Sequence, residues 1–576
     1  MTFTIEKTFV SYEDVNVELP SPWLLDHFVL SLLLPISLLV YYSYWTSNIN
    51  RKPKVRRPFT VPYTVPILKS TFRFFFKGGD IFLYTARYLR DQAAVRLALF
   101  NQDIYLIHGA KNINEIFQNQ QFTVVWAYGI ALRSCFGMGR KAVSMYFNDT
   151  SGSRTKPIPG SNIAPHNRVG YKTHENILHG ILGAGHVHAF NRYENAIFKE
   201  LNGLEIGDEW VEYPDFTDFY HDSVGTCILR MLYGPTISED PVFNRNLWKY
   251  DSWVMSLAKR LPRFLIPEAY RLRDYMLGAL KNWHALAREG SKNAIYDREA
   301  DSDPFWGRKM MRERHEMQLT IDNQDYDSIA SAELAMVWAS VANIVPSTMS
   351  LALHVFLDKP ALADIRTSVA STVEPGERLK FDIRKLEKQN LLLSMYAETL
   401  RFTVQLHVPR CSPYEDVTIG GVSIPNGQAM VINTWLAHTD EDSWDTRNGA
   451  YPLTSFWGKR FLVDPKDPSS GPGHKKPKTA PSDTQSNEHY FSTYGLEGAW
   501  IPYGGGLNAC PGRIIAKQIM LVSCAMMCTM FDVEILADAK ALEFSTSRFG
   551  FGTRRPVGKV PFRIRRRQIP DFETDR

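Results

Sequence analysis

The sequence AWIPYGGGLNACPGR, residues 499–513, holds one cysteine, Cys510, between three consecutive glycines and the pair Pro511-Gly512. Glycines permit backbone conformations and close approaches that other residues do not. Residues 504–509 fit the GxGxxG/A dinucleotide pattern formally, but Pro511 follows and too little chain remains for a βαβ unit. No Gly-Lys-Ser/Thr follows, which excludes a phosphate-binding P-loop. Taken alone, the loop does not distinguish a ligand site from a buried structural cysteine.

The segment after the loop, residues 511–531, is long and apolar and predicts a helix that begins just after Cys510. The free amide groups and the dipole of a helix N-terminus favour a thiolate. A thiolate on a rigid loop in apolar surroundings is the axial ligand that a heme iron needs, and nearby backbone amides would tune its basicity. The six cysteines include no CxxC pair, which argues against a disulfide framework, a structural zinc site or an iron–sulfur cluster.

The stretch resembles the heme-binding loop of the cytochromes P450, Phe-x-x-Gly-x-Arg-x-Cys-x-Gly. In this resemblance Tyr503 takes the position of the Phe, and Gly506 and Gly512 match the two glycines. Cys510 is then the thiolate that ligates the iron of heme b. Asn508 departs from the usual Arg or His, which commonly contacts a heme propionate, so the resemblance implies that this contact is made elsewhere in the chain.

A Glu-x-x-Arg pair and a later arginine support the same family. Glu398 and Arg401 lie three residues apart, on one face of a predicted apolar helix, where they can pair. Alone, such a pair is usually an exposed ion pair. In the P450 family an arginine from a Pro-Glu-Arg-Phe-like segment completes it, and FWGKRF, residues 456–461, resembles that segment with Arg460 as the third member. Buried networks of this kind hold a loop in position and take no part in the chemistry.

The long apolar segment at residues 332–356 contains one proline. Pro346 cannot donate a hydrogen bond to the carbonyl of Ala342, so we expect the helix to open at Ala342–Asn343; a proline in a merely packed helix is the alternative. The P450 family commonly has an acid followed by threonine here, for proton delivery, and this chain has Asn343 instead. WASVANIVPST resembles the form in the sterol 7α-hydroxylase and prostacyclin synthase branch, which makes Asn343 and Thr348 candidate catalytic residues that organise water.

Further site residues follow from the resemblance. Arg410 matches an arginine that typically contacts a heme propionate; a surface arginine at a strand start is the alternative. The family's Trp-x-x-x-Arg heme contact is not found in residues 160–200. The resemblance also implies a substrate pocket, although large aromatic side chains at its expected positions could instead belong to the packed core. The expected lining of the substrate pocket is Trp338, Val341, Val404 and Phe549.

The resemblance covers roughly residues 55–565 and implies the P450 fold, which is mostly α-helical with small β-sheets (α+β). We therefore expect residues 71–576 to form one cytochrome P450 catalytic domain. Within it, residues 94–100 and 103–109 predict a strand pair, and long helical patterns dominate the middle of the chain. A Pro-, Ser- and Lys-rich stretch at about 464–490 predicts a disordered surface insertion.

The fold is expected to be preceded by a single N-terminal transmembrane helix. Residues 1–21 form a tail and residues 22–46 the anchor, an apolar run flanked by Trp and Tyr that, at about 1.5 Å per residue, crosses a bilayer. A cleaved signal peptide is the rival interpretation, but no basic region precedes the run and no small-residue cleavage site follows it. Residues 47–70 form a basic, proline-rich linker, whose Lys and Arg predict a cytosolic catalytic domain on the endoplasmic reticulum membrane.

The composition of the chain narrows the kinds of molecule that it is expected to bind. The chain has 576 residues, 44% of them hydrophobic, and a net charge of +5. This composition supports a large buried core. No long basic stripe interleaves with aromatic residues, so we expect no nucleic-acid partner, and the short basic cluster at residues 563–567 predicts a solvated edge.

Together the motifs predict a membrane-bound heme-thiolate monooxygenase that oxidises a hydrophobic small molecule, such as a sterol, a terpenoid or another intermediate of secondary metabolism. The resemblance implies O2 as co-substrate, membrane lipid as the environment, and NADPH–cytochrome P450 reductase as electron donor, with cytochrome b5 as a further candidate partner. Two alternatives stay open. One is a heme-thiolate isomerase that rearranges a peroxide without O2 or a reductase, which Asn343 keeps open; the other is a non-catalytic heme-binding protein.

Overall fold

Helices make up most of the fold. The structure is a computed structural model, and it describes residue 37 and residues 57–63, 69–71, 73, 80–89, 92–100, 102–467, 469–475 and 489–568. A π-helical turn at His221–Gly225 joins α7 to α8. Numbered along the described chain, the helices are α1 (Asp80–Ala86), α2 (Ala110–Gln118), α3 (Val125–Ser134), α4 (Arg140–Asn148), α5 (Val169–Ile181), α6 (Ala184–Asn202), α7 (Phe216–Tyr220), α8 (Thr226–Tyr233), α9 (Pro235–Ser238), α10 (Pro241–Ala258), α11 (Pro267–Lys292), α12 (Lys309–Leu319), α13 (Tyr326–Val341), α14 (Ile344–Leu357), α15 (Lys359–Ala370), α16 (Ile383–Leu386), α17 (Asn390–Thr403), α18 (Thr434–His438) and α19 (Arg513–Met530).

The strands form small sheets around the helices. They are β1 (Phe59–Thr60), β2 (Ala94–Ala98), β3 (Asp103–Ile107), β4 (Val211–Tyr213), β5 (Ser302–Asp303), β6 (Gly307–Arg308), β7 (Val404–Arg410), β8 (Val417–Ile419), β9 (Val422–Ile424), β10 (Ala429–Asn433), β11 (Leu462–Val463), β12 (Tyr490–Phe491), β13 (Phe531–Ile535), β14 (Phe551–Thr553) and β15 (Phe562–Arg566). The largest sheet has the order β1-β2-β3-β10-β7-β14, and β13-β15-β4 form a second one. Three hairpins, β5–β6, β8–β9 and β11–β12, are separate. The expectation of a mostly helical fold with small sheets is therefore confirmed.

The start of the domain differs from the sequence-based expectation. The strand pair predicted at residues 94–100 and 103–109 is present as the antiparallel pair β2 and β3. Residues 47–70 were expected to be linker, but β1 lies within them and pairs in parallel with β2. Val61 explains this, because its side chain is buried and its amide donates to the carbonyl of Arg96 at 2.9 Å. The folded domain therefore begins before residue 71.

Two helical stretches of the described chain, Tyr326–Leu357 and Arg513–Met530, are long and apolar enough to cross a membrane. Most of each lies inside the protein, since 61% and 72% of their most apolar windows are buried. Both are thus core helices. The predicted tail at residues 1–21 and the predicted anchor at 22–46 lie outside the described residues, apart from residue 37, so the single transmembrane helix stays a prediction.

Part of the insertion predicted at about 464–490 packs on the domain. Ser470 is buried, and Gly473 forms a β-bridge with Trp444. Turn-forming Asp, Pro, Ser and Gly residues satisfy one another's polar groups here, which explains why a composition typical of disorder gives an ordered segment. The rest of the expected insertion, residues 476–488, lies outside the described residues.

The long apolar helix opens where the proline predicts. α13 ends at Val341 and α14 begins at Ile344, which leaves Ala342 and Asn343 between them. Pro346 has no amide hydrogen to offer the carbonyl of Ala342. The opening lies within the core, because both helices are largely buried.

Glu398 and Arg401 meet on the buried face of α17, together with Arg460. Arg401 Nε and Nη2 donate to the two carboxylate oxygens of Glu398 at 2.6 and 2.8 Å. Arg460 Nε donates to both oxygens at 3.1 Å, and the amide of Trp457 donates to Oε1 at 2.9 Å. The three charged side chains are fully buried. One carboxylate therefore serves as the shared counter-charge of two guanidinium groups in the core.

The same network reaches the chain that leads into the cysteine loop. Burial lowers the pKa of His438 to about 3, so its ring is neutral. Its Nδ1–H donates to the carbonyl of Arg401 at 3.1 Å, and its Nε2 accepts from the amide of Ile501 at 3.0 Å. The guanidinium of Arg401 also donates to three backbone carbonyls at 2.8 to 3.1 Å, those of His438, Leu453 and Ser455.

We expect Glu398→Gln to lower the free energy of unfolding by about 3–5 kcal/mol, because two buried guanidinium groups lose their counter-charge. The measurement is the urea midpoint followed by tryptophan fluorescence. Glu316→Gln is the matched control, since it breaks an exposed pair with Arg298 at 2.9 Å and is expected to cost less than about 1 kcal/mol. Equal midpoints for the two variants would contradict this account of the network.

Candidate functional site around Cys510

Cys510 lies directly before α19, at the end of a tight loop. Its amide donates to the carbonyl of Tyr503 at 2.9 Å, and a 3-10 turn at Gly506–Asn508 fills the span between them. No side chain caps the N-terminus of α19 at Gly512. The first amides of the helix are therefore available to an anionic sulfur, as the sequence predicts.

The Cys510 thiol is exposed, yet burial raises its pKa, while the amide of Gly512 and the charge of Arg513 act in the opposite direction. The exposure of the thiol and the rise of its pKa are consistent with each other if the accessible side of the thiol faces a space that the protein encloses. Tyr128 shows the same combination, because 49% of it is exposed and burial raises the pKa of its hydroxyl. Arg410 lowers that pKa and Cys510 raises it, so the three groups lie within electrostatic reach of one another.

The glycines of the loop lie against α2. A Cβ on Gly505 would lie 2.0 Å from the ring of Phe117, and a Cβ on Gly506 would lie 2.1 Å from the carbonyl oxygen of Phe117. Gly506 also has a φ of +65°, which side chains strain. Gly512 differs, because a Cβ there would have no neighbour closer than 3.7 Å. The first two glycines are thus required by space, whereas Gly512 has ordinary contacts.

Arg410 lies at the C-terminal end of β7 and is only 3% exposed, so the surface position considered from the sequence is wrong. Its Nη2 donates to the carbonyl of Gly505 at 2.8 Å, which ties it to the cysteine loop. Burial lowers the pKa of Arg410 to about 10, and the nearby Tyr128 acts in the opposite direction. Among the described residues no carboxylate pairs with it. A buried cation of this kind suits an anionic ligand group.

Asn508, the departure from the family loop, contacts protein. Its Oδ1 accepts a hydrogen bond from Ser153 Oγ at 2.9 Å. The side chain therefore ties the cysteine loop to the segment before α5. The missing cation is not replaced at this position.

Two side-chain oxygen atoms of α5, each on a partly buried residue, are buried without a protein partner among the described residues. The helix passes the cysteine loop, since a Cβ on Gly512 would lie 3.7 Å from Ile181. Thr173 and Asn176 are three residues apart and share one face of α5. Thr173 Oγ1 and Asn176 Oδ1 find no hydrogen-bond partner in the described part of the chain. Buried polar atoms without a protein partner are available to a ligand or to a water molecule.

The structure holds Asn343 against β14. Asn343 Oδ1 accepts from the amide of Thr553 at 3.1 Å, and a Cβ on Gly552 would lie 2.8 Å from the same oxygen. Thr348 is fully buried, and its hydroxyl donates to the carbonyl of Ile344 at 2.7 Å. Both residues lie at the helix opening, and their part in organising water stays a prediction.

The four expected pocket residues divide into two kinds. Val341, Val404 and Phe549 are at most 5% exposed and pack in the core. Trp338 is only partly buried, and its Nε1 donates to Asp251 Oδ1 at 2.7 Å. Their assignment to a substrate pocket stays a prediction.

Two residues that shape this region, Tyr128 and Asp251, were not found from the sequence, whereas Ala339 lies within the segment from Trp338 to Val341 that was expected to line the pocket. Ala339 is exposed although most of α13 is buried, which indicates accessible space beside the helix. Tyr128 carries no signal in the sequence. Asp251 does, because it is a single acid at a core position of the amphipathic helix α10.

A protein-family model described as cytochrome P450 matches residues 215–562, more than half of the chain. The cytochrome P450 monooxygenase fsoE of Humicola fuscoatra is 30% identical over 535 residues, which are 90% of this chain and 89% of that protein. The chain belongs to the cytochrome P450 family. Cholesterol 7-alpha-monooxygenase of Cricetulus griseus is 23% identical, over 57% of this chain and 60% of that protein, which agrees with the resemblance to the sterol 7α-hydroxylase branch.

Solved structures agree with the P450 fold. The retinoic acid-bound cyanobacterial CYP120A1 superposes with a TM-score of 0.59 at 16% identity, over 89% of this chain and all of that chain. At this identity the likeness shows the fold alone. The P450 fold expected from the cysteine loop is thereby confirmed.

As a P450, the protein is an oxidoreductase that uses heme with a cysteine thiolate on the iron, O2, an organic substrate and a redox partner. The residues around Cys510 fit this group. Cys510 is exposed while burial raises its pKa, Arg410 is a buried cation without a carboxylate partner among the described residues, and Thr173 and Asn176 have oxygens without a protein partner. Cys510 would hold the iron, Arg410 would contact a propionate, and the α5 pair would complete the polar surroundings.

Gly506→Ala is expected to lower the fraction of protein that forms the cysteine-ligated heme complex at least several-fold, because the new Cβ meets the backbone of Phe117 and the positive φ adds strain of roughly 1–3 kcal/mol. The measurement is the difference spectrum of the reduced protein with carbon monoxide. Gly512→Ala is the matched control in the same loop, and its spectrum should stay close to that of the unchanged protein. Equal loss in both variants would refute the steric argument.

Arg410→Gln is expected to speed the transfer of heme to apomyoglobin about tenfold, because a charge-assisted contact is worth roughly 1.5–3 kcal/mol. Arg554→Gln is the matched control, since burial also lowers the pKa of Arg554 to about 10 while its guanidinium bonds the carbonyl of Phe544. An unchanged transfer rate in Arg410→Gln would mean that this arginine does not hold the cofactor.

Proposed function

We propose that this protein is a membrane-bound monooxygenase that hydroxylates or further oxidises a hydrophobic small molecule. The substrate class is a sterol, a terpenoid or a related biosynthetic intermediate. The observation that carries the proposal is the Cys510 thiol, which lies before α19 with its free surface toward an enclosed space. When bound, a heme ligated by this thiolate activates O2 for attack on a C–H bond.

The protein's own residues bind and orient the cofactor. Gly505 and Gly506 let the cysteine loop lie on α2, so that the thiol is fixed before any ligand arrives. Arg410 and the Thr173 hydroxyl can donate hydrogen bonds to the propionates, whereas Asn176 Oδ1 can only accept one, for example from a water molecule. The largely apolar walls exclude water, which strengthens each of these contacts.

Proton delivery is proposed to use the opening between α13 and α14. The carbonyl of Ala342 lacks a partner amide at Pro346, so it can accept from a water molecule. Asn343 Oδ1 is held by Thr553, and the carboxamide nitrogen of Asn343 has no protein acceptor among the described residues, so that it can donate to the same water. Thr348 keeps its hydroxyl hydrogen on the carbonyl of Ile344 and can only accept.

Two observations support an apolar substrate. Near the C-terminal end of α13, Ala339 is exposed and Trp338 is partly buried, and both are apolar apart from the indole N–H, which donates to Asp251. The relative from Cricetulus griseus is named as a cholesterol 7-alpha-monooxygenase. We infer that the substrate binds chiefly by apolar contact and shape.

The electron donor and the location follow from the family and the N-terminal sequence. We propose NADPH–cytochrome P450 reductase as electron donor, with cytochrome b5 as a second donor. The apolar run at residues 22–46 and the basic residues 47–70 support a single-pass anchor in the endoplasmic reticulum with a cytosolic catalytic domain.

Asn343 favours a second candidate function. An asparagine in place of the usual acid is compatible with a heme-thiolate isomerase that rearranges a peroxide and needs neither O2 nor a reductase. A non-catalytic heme-binding protein is the third candidate, and any turnover at all would exclude it.

The test compares metabolites of the source organism with and without the gene by high-resolution mass spectrometry, and then repeats the conversion with purified full chain, reductase and NADPH in lipid. A product that exceeds the accumulated precursor by one oxygen atom, or lacks the hydrogens of a further oxidation, supports the monooxygenase. If precursor and product are isomers and the conversion needs no NADPH, the protein is the isomerase and the monooxygenase proposal fails.

Cys510→Ala is expected to abolish the conversion in either case, because no other thiol faces the enclosed space among the described cysteines. Cys411→Ala is the matched control, since Cys411 is buried and its thiol bonds only the carbonyl of Ser412 at 3.7 Å. Retained conversion in Cys510→Ala would overturn the whole proposal.

A further inference from the structure

A buried ionic cluster joins three distant parts of the chain beside the helix opening. Asp251 on α10 is 1% exposed, and its carboxylate accepts from Trp338 Nε1 at 2.7 Å. Arg548 donates to both carboxylate oxygens, at 2.8 and 2.9 Å. Arg555 Nη2 lies 2.7 Å from Oδ2. These two arginines flank β14, so one carboxylate connects α10, α13 and the strand segment 548–555.

The cluster depends on Asp251 electrostatically. Burial alone would raise the pKa of Asp251, but Arg555 and Arg548 outweigh it and the pKa is lowered. The carboxylate is therefore charged and holds two cations. Without it, two partly buried guanidinium groups would repel each other, and α10 would keep only one hydrogen bond to the other segments of the cluster, from Arg548 Nη1 to the backbone carbonyl of Asp251 at 3.3 Å.

Arg555 carries the connection to the helix opening. The Nη2 that contacts Asp251 also lies 3.5 Å from the carbonyl of Ala342, the group that Pro346 leaves without a partner amide. On the other side of the opening, Thr553 bonds Asn343 through its amide. The position of Asp251 thus determines whether a cation stays beside the open carbonyl.

We propose that Asp251 is a positioning residue that couples the docking of α10 to the geometry of the opening between α13 and α14. The inference rests on the proposed function, because it assigns to α10 control over the pocket wall at Trp338 and the proton-delivery site at Ala342. With α10 docked, Arg555 lies at the Ala342 carbonyl and the indole of Trp338 has one orientation. With the carboxylate neutralised, both groups lose their common acceptor.

The consequence concerns substrate selection. A bulky ligand in the pocket contacts the wall that Trp338 forms, whereas a small ligand of the iron does not depend on that wall. Loss of the Asp251 charge therefore weakens the binding of bulky ligands selectively. It also loosens the helix opening, although Asp251 is distant in sequence from both Trp338 and Ala342.

The test uses the full chain with heme bound and compares Asp251→Asn with Asp303→Asn. Asp303 is an equally buried aspartate that pairs with Arg312 at 3.2 Å and contacts neither α13 nor β14 in the described structure. The probes are clotrimazole, which is bulky, and imidazole, which is small; both bind heme iron. Hydrogen–deuterium exchange of residues 339–347 gives a readout that needs no ligand or turnover.

In Asp251→Asn we expect the Kd of clotrimazole to rise about tenfold, as for loss of charged hydrogen bonds, with the Kd of imidazole unchanged and faster exchange at 339–347. Asp303→Asn should change none of these three. Trp338→Phe keeps an aromatic ring and removes the N–H donor, so it should raise the Kd of clotrimazole by less than Asp251→Asn does. It provides the test if Asp251→Asn does not fold.

The coupling would be overturned if both Asp251→Asn and Trp338→Phe left the hydrogen exchange at 339–347 and the Kd of clotrimazole unchanged. Because neither readout involves product formation, this outcome would leave the proposed reaction intact, and failure of the reaction would leave the coupling intact.

Discussion

The carboxylate of Glu398 is the contact on which the cysteine side of the structure depends. It is fully buried and takes hydrogen bonds from Arg401, Arg460 and the amide of Trp457. Arg401 in turn fixes the irregular chain after α18, and its carbonyl orients His438, which accepts the amide of Ile501. A loop without regular hydrogen bonds is thereby held at fixed distance from α17. The loop that carries Cys510 can be rigid because its support is ionic and buried.

In two places of the structure, one buried carboxylate pairs with two arginines. Glu398 and Asp251 each hold two arginines, and each pairs chain segments that are far apart in sequence. They differ in accessibility. The Glu398 arginines are fully buried, whereas Arg548 and Arg555 keep 11% and 18% of their side chains exposed. The first arrangement suits a permanent support, and the second suits a contact that forms and breaks with the position of α10.

The sequence predicted those features whose cause is local. Pro346 removes one helical hydrogen bond, so the opening at Ala342 followed from covalent structure alone. The spacing of Glu398 and Arg401 follows from helix geometry. The strand at Phe59–Thr60 was missed, because its pairing with β2 depends on residues outside the segment. Phe549, which was expected in the pocket, packs in the core. The sequence could not separate the two places, because apolar residues line pocket walls and fill cores alike.

The packing of the cysteine loop against α2 has a consequence for the order in which the protein folds during synthesis. The two surfaces come from opposite ends of the chain, Phe117 near the start and Gly506 near the end. The ribosome releases α2 before the cysteine loop. The loop can therefore pack on α2 only after the residues between Phe117 and Gly506 have been synthesised, so the surroundings of the Cys510 thiol form later than α2 itself.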